Sequence, residues 1–185
     1  MKLKRFNFKT VNSTNDLAIR IIRNSNNKAG IVIADFQKKG KGRYGKKWIS
    51  YKGNLFVSIF FEISKINLSI EKITKINCLL IKKLLSYYYN KKITIKKPND
   101  ILINKKKICG VLHEQLIKSN QTFVVIGIGI NLVKSPHISD YPTTNFLELT
   151  NTKIDKKKIV IKLKNIYEKF IPKLNKLNLI NISKI

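Results

Sequence analysis

Histidine, cysteine and arginine are all scarce in this chain of 185. Two histidines, His113 and His137, are too few for a His-based zinc site. The two cysteines, Cys78 and Cys109, stand far apart and in no metal spacing, which fits reduced thiols in a cytoplasmic protein. No Ser–His or Cys–His arrangement suggests a nucleophile. No segment approaches the ~20 apolar residues of a membrane span. The N-terminal MKLKRFNFKTVNSTND has cations but no apolar signal-peptide core. Repeats and an interdomain linker are also missing, so one domain is expected.

Hydrophobic residues make up 43% of the chain, enough for a packed core. The formal net charge is +28, which raises the possibility of a nucleic-acid partner. Yet only Arg5, Arg20, Arg23 and Arg43 are arginine among 38 basic residues. Sequence readers of nucleic acid favour the planar guanidinium fork, and here lysine is spread over the whole length. Lysine, isoleucine and asparagine share AT-rich codons, so the charge reads mainly as a genome bias, with no specific DNA partner implied. The alternative, a selected polyanion surface, stays open. In such a lysine-rich chain Arg43 stands out.

The coarse organisation follows from periodicity. A short strand is expected at 3–8. Ser13-Thr14-Asn15-Asp16 then opens a helix to about Arg23, with Ser13 and Asp16 in capping-box spacing. Strands are expected at 30–36, 54–62, 92–96, 100–103, 107–117 and 122–132, with the turn at Asn104-Lys105-Lys106. Ile70, Ile73, Asn77, Leu80, Leu84 and Tyr88 recur at helical spacing over 69–89, and a last helix spans 155–174 despite Pro172. The order does not alternate strictly between strand and helix. An α/β protein of the α+β kind, with a mixed, mostly antiparallel sheet carrying helices, is expected.

Four stretches carry chemistry. Gly40 to Trp48, GKGRYGKKW, puts three glycines, four cations and an indole between two strands. Such a loop suits a ligand bearing a ring and an anionic group, or is a solvated basic loop. Asn99 and Asp100 follow Pro98, as an Asx-type turn or as a carboxylate beside Mg²⁺ and phosphate. Lys105, Lys106 and Lys107 precede Gly110, as a charged hairpin tip or as a source of a cation for an anionic ligand. Gly127 and Gly129 lie within a strand, where a ligand or another chain segment must come close. The GxGxxG spacing of a dinucleotide fold is not present.

In order, STND, Q-x-x-GKGRYGKKW, KKPND, KKKICGVLHE and GIGINL resemble the catalytic domain of biotin–protein ligase, over residues 3 to 132 and more loosely Tyr141-Pro142-Thr143-Thr144 and the last helix. The glycine–arginine loop separates that family from relatives of the same fold that handle lipoate or octanoate. The resemblance implies a fold akin to class II aminoacyl-tRNA synthetase cores. It implies ATP-dependent activation of biotin to biotinyl-5′-adenylate, then transfer to one lysine of a biotin carboxyl carrier domain of an acyl-CoA carboxylase. Biotin would contact Ser13, Thr14, Asn15, Gln37, Lys41, Gly42, Arg43, Lys107 and Gly110. The nucleotide would meet Arg43, Lys46, Trp48, Asn99 and Asn131. Lys107, Arg43 and Asp100 would carry the chemistry, with Asp100 as a Mg²⁺ ligand and no tightly bound metal. Gly127 and Gly129 would line the pocket.

The chain departs from the pattern at Lys41 and Lys46, usually arginine, and at Lys97, usually tryptophan. Residues 1–185 read as a single catalytic domain, without the N-terminal helix-turn-helix and C-terminal β-barrel that many relatives carry. A lipoate or octanoate ligase, a basic nucleic-acid module and a catalytically silent biotin binder are the alternatives.

Overall fold

Ala29–Gln37 (β2) and Leu55–Glu62 (β3) are apolar on both faces, which a strand tolerates only when both faces are covered. Ile31 and Ile33 of β2 join the larger core, whereas Val32 joins a smaller one on the other face. The structure, a computed structural model that describes residues 1–64 and 68–176, satisfies this with a sheet between two helical layers.

The sheet has seven strands. Lys4–Val11 (β1), β2 and β3 are followed in space by Gln121–Ile130 (β7), Lys106–Lys118 (β6), Asp100–Ile103 (β5) and Ile93–Lys96 (β4). Only β1 and β2 are parallel, and Thr14–Asn24 (α1) makes the crossover that parallel pairing demands. All other neighbours are antiparallel, as the sequence led us to expect.

Leu17, Ala18 and Ile22 of α1 pack on Val32, Phe60, Phe123 and Val125. The opposite face carries Ile70–Ser86 (α2) and, after a short helix Phe146–Thr150 (α3), Lys156–Phe170 (α4). Between these helices the buried Tyr167 hydroxyl donates to Asn77 Oδ1, and Asn77 Nδ2 donates to Ile73 O at 2.7 Å. This explains an asparagine at an apolar position of the helical pattern: a buried amide is stable when both ends are bonded.

Three expectations change. The last helix stops at Phe170, and Ile171–Lys176 continues as a 3₁₀ turn, because Pro172 has no N–H for the α pattern. The hairpin before β6 turns on two residues, Asn104 (φ 50°) and Lys105 (φ 62°), so Lys106 already belongs to the strand. Helix α3 had no sequence signal beyond Asn145, whose Oδ1 accepts from Glu148 N at 2.9 Å.

Candidate active site

Sheet register builds the floor of the site. One row runs Phe8, Ala34, Phe56, Gly129, Gly110, Asp100 and Lys96, from β1 across to β4. The next row sets Val32, Ser58, Gly127 and Leu112 side by side. Glycine and serine at adjacent positions leave a hollow on the face that carries α1. A cavity of about 280 Å³ opens there.

The glycine loop folds over this hollow as a small hairpin. Gly42 N donates to Lys46 O at 2.7 Å, Trp48 N donates to Gly40 O at 2.9 Å, and Lys41 bridges Lys47. Tyr44 (φ 53°) and Gly45 (φ 72°) make the left-handed tip. The Gly42 and Lys46 amides are therefore spent within the hairpin, and the loop offers an anion its side chains. Trp48 turns inward over the floor. A Cβ on Gly110 would lie 2.7 Å from Trp48 Cζ3, and one on Gly129 would meet the same indole. The strand glycines thus admit a side chain. Trp48 Nε1 is buried without a protein acceptor among the described residues.

At the mouth, Lys107 Nζ meets Asp100 Oδ1 at 2.8 Å. The ammonium also lies 5.5 Å from the Trp48 ring centroid and 5.1 Å from that of Tyr141. Lys107 side-chain exposure is only 15%, so it is not a solvated hairpin tip. The backbone fixes it: Lys107 N donates to Pro142 O at 2.8 Å and Thr144 N donates to Lys107 O at 3.0 Å. Two rings and a carboxylate thus hold the ammonium in a half-buried setting.

The inner end is a polar chain. Thr14 N and Thr14 Oγ1 both donate to Gln37 Oε1, at 2.8 and 3.0 Å. Ser58 Oγ lies 2.8 Å from Thr14 Oγ1 and donates to Asn15 Oδ1. Asn15 Nδ2 donates to Glu114 Oε2 at 2.6 Å. Asn15 rests on Gly127, where a Cβ would collide with its amide. Ser13 caps α1 by accepting from Asp16 N at 3.4 Å. The reciprocal half of the capping box is not made, because the Asp16 carboxylate goes to Lys41. That bond raises the Lys41 pKa, with Glu114 adding a smaller Coulombic push.

Behind the loop, His113 sits on β6 with Nδ1 3.2 Å from Thr74 Oγ1. Thr74 Oγ1 donates to Ile70 O at 2.8 Å, so Nδ1 carries the imidazole proton and Nε2 is left without a protein partner among the described residues. Burial, and next the Arg43 charge, push the His113 pKa down to about 4.

Ser13, Thr14, Asn15, Gln37, Lys41, Gly42, Arg43, Lys46, Trp48, Asn99, Asp100, Lys107 and Gly110 all line the cavity. Arg43 reaches it from the hairpin tip, where its Nη2 donates to Tyr44 OH at 2.8 Å. Asn99 is largely committed to the fold, since its Nδ2 donates to Val111 O at 2.7 Å and its carbonyl accepts from Val111 N at 3.0 Å. Asn131 stands apart from these. It is 2% exposed, its Nδ2 donates to Thr144 O at 3.2 Å, and it is not part of the cavity lining. Strand β7 ends at Ile130, so the alternation that aims Gly127 and Gly129 at the site no longer governs residue 131.

Residues 7–131 match the model of the biotin/lipoate A/B protein ligase family. The chain belongs to that family. Among curated relatives, the bifunctional ligase/repressor BirA of Bacillus subtilis is 28% identical over 167 residues, 86% of this chain and 51% of its own length. The chain thus spans about half of that relative. The biotin protein ligase of Aquifex aeolicus in complex with biotin and ATP superposes with a TM-score of 0.79 at 24% identity, over 94% of this chain and 72% of that one. The Leishmania major biotin protein ligase in complex with biotinyl-5-AMP gives 0.79 at 22%, over 98% and 78%. At these identities the likeness is one of fold.

Within this ligase-family chain, sequence reasoning missed Ser58, Glu114 and Tyr141 as parts of the site. Glu114 closes the KKKICGVLHE stretch and Tyr141 opens YPTT, so both lay inside quoted motifs. Ser58 had one signal, a hydroxyl in an otherwise apolar strand.

Proposed function

We propose that this chain activates biotin with ATP, forming biotinyl-5′-adenylate and pyrophosphate, and passes the biotinyl group to a lysine of a carrier domain. In the first step a biotin carboxylate oxygen bonds to the α-phosphorus and the bond to pyrophosphate breaks. In the second, the carrier amine bonds to the acyl carbon and AMP leaves. Two anions must meet, so the enzyme's task is to neutralise charge and hold geometry. The observation that carries this reading is Lys107: a half-buried cation at the junction of a polar inner cavity and an open, aromatic mouth. The inner chain of Thr14, Gln37, Asn15 and Ser58 suits the polar end of a small acid. Arg43 and Lys41 close over the reacting groups from the hairpin. The free Trp48 N–H gives a ligand oxygen one more donor.

Mg²⁺ has little to hold it on the protein. Asp100 is the only carboxylate among the described residues lining the cavity, and Lys107 already occupies it. Among the described residues no three His, Cys, Asp or Glu side chains gather to bind a metal. In this reading the ion enters as part of its ATP complex, with Asp100 as the carboxylate within reach. The acceptor would be the carrier domain of an acyl-CoA carboxylase, and the setting the cytoplasm.

Incubation of the purified chain with biotin, ATP and Mg²⁺, read by mass spectrometry, should yield biotinyl-adenylate. Activation of lipoate or octanoate in place of biotin would overturn the reading.

A further inference from the structure

Of the six cations that line the cavity, Lys41 and Lys107 are each paired with an acid from a neighbouring motif. Lys107 is held by Asp100, and Lys41 by Asp16. The pairs differ in hydration. Lys107 and Asp100 are 15 and 25% exposed, whereas Lys41 and Asp16 are 47 and 42% exposed. Partly hydrated ion pairs exchange partners readily, because water and competing ions stabilise each half.

Asp16 stands in the first turn of α1, where a carboxylate suits the helix dipole. Its N–H is capped by Ser13 Oγ, but its carboxylate leaves the capping box unfinished and reaches to the first cation of the hairpin. Glu114, the other acid near Lys41, is committed to Asn15 Nδ2. The Lys41 backbone is fixed by its bridge to Lys47, so its ammonium can swing while the hairpin stays in place.

We infer that Asp16 is a positioning residue that competes with the carboxylate of the ligand for Lys41. This rests on the biotin reading above and deepens it. Asp16 holds the Lys41 ammonium at the cavity wall, and an arriving carboxylate takes it over. The energetic consequence is selective. Asp16 taxes only ligands whose anionic group must win Lys41, and it leaves a neutral analogue of the same shape untouched.

The test is calorimetric titration of the full chain with biotin and with biotinamide, which lacks the charge. Asp16→Asn should bind biotin about two- to fivefold more tightly, the scale of one exposed ion pair, with biotinamide unchanged. Asp16→Glu should restore the parental preference between the two ligands. If Asp16 merely anchors the hairpin, Asp16→Asn weakens both ligands alike, and that result overturns the proposal. A parent chain that binds biotin, with a preference unmoved by Asp16→Asn, overturns it too while the biotin reading stands. A parent chain that binds neither ligand sinks the biotin reading, and this proposal with it.

Discussion

Trp48 and Gly110 share one van der Waals contact across the gap between hairpin and sheet: a Cβ on the glycine would stand 2.7 Å from indole Cζ3. Gly110→Ala should therefore lift the indole off the floor. Overpacking of this kind costs roughly 1–3 kcal/mol when backbone must yield, and less when a loop can move aside. Trp48 is the only tryptophan, so its fluorescence reports the displacement directly. We expect a red-shifted, more quenchable emission and weaker biotin binding. Unchanged emission would show that the hairpin is not seated on the glycine floor.

Lys107→Met keeps the aliphatic stem and removes the charge. A cation that meets developing negative charge is worth on the order of 10²–10³ in rate. Adenylate formation should fall by that order, while stability falls by only about 1 kcal/mol as Asp100 rehydrates. Single-turnover assays at matched folding, checked by circular dichroism, separate the two. Parental rates in the variant would leave Lys107 a role in packing alone.

Arg43→Gly should let the intermediate escape. Loss of one charge-assisted contact to an anion weakens retention by about 1.5–3 kcal/mol. Free biotinyl-adenylate should accumulate, and bystander proteins should be labelled on exposed lysines. Carrier-only labelling, with adenylate retained, argues that Arg43 is a solvated loop residue.

His113 makes the fold sensitive to acid. Its folded pKa is depressed from 6.5 to about 4, so it is neutral in the folded chain where the unfolded chain binds a proton. Its contribution is complete above pH 6.5 and is lost as pH falls toward 4. The loss amounts to at most roughly 3 kcal/mol by linkage. Chemical denaturation from pH 7 to pH 4 should show it, and His113→Gln should flatten the slope in that window. An identical slope in the variant would assign the acid sensitivity elsewhere.

Local signals were legible wherever a residue acts on its own neighbours. Ser13 caps α1, a turn near Asn104 sets the β5–β6 hairpin one residue shorter than expected, and Asn77 sits on the buried stripe of α2. The GKGRYGKKW loop and Lys107 were visible as candidates for the same reason: glycine, cation and ring are unusual in one short stretch. Asn131 lies in the same short run as two cavity glycines, but the strand ends one residue before it and its Nδ2 bonds to Thr144 O.

Composition and pattern by themselves determined a mixed sheet with helices and a basic glycine loop, and the ordered motifs resembled those of a ligase family. The tertiary structure decided which of those residues meet. It paired Lys107 with Asp100, sent Asp16 away from its cap to Lys41, and seated Trp48 on glycines some 60 and 80 residues downstream. Asp100, Lys107, Gly110 and Gly129 lie on three strands, β5, β6 and β7, and strand register sets which of them face one another and the loop above. Register depends on the whole sheet closing around its core, and no window of the sequence contains that information.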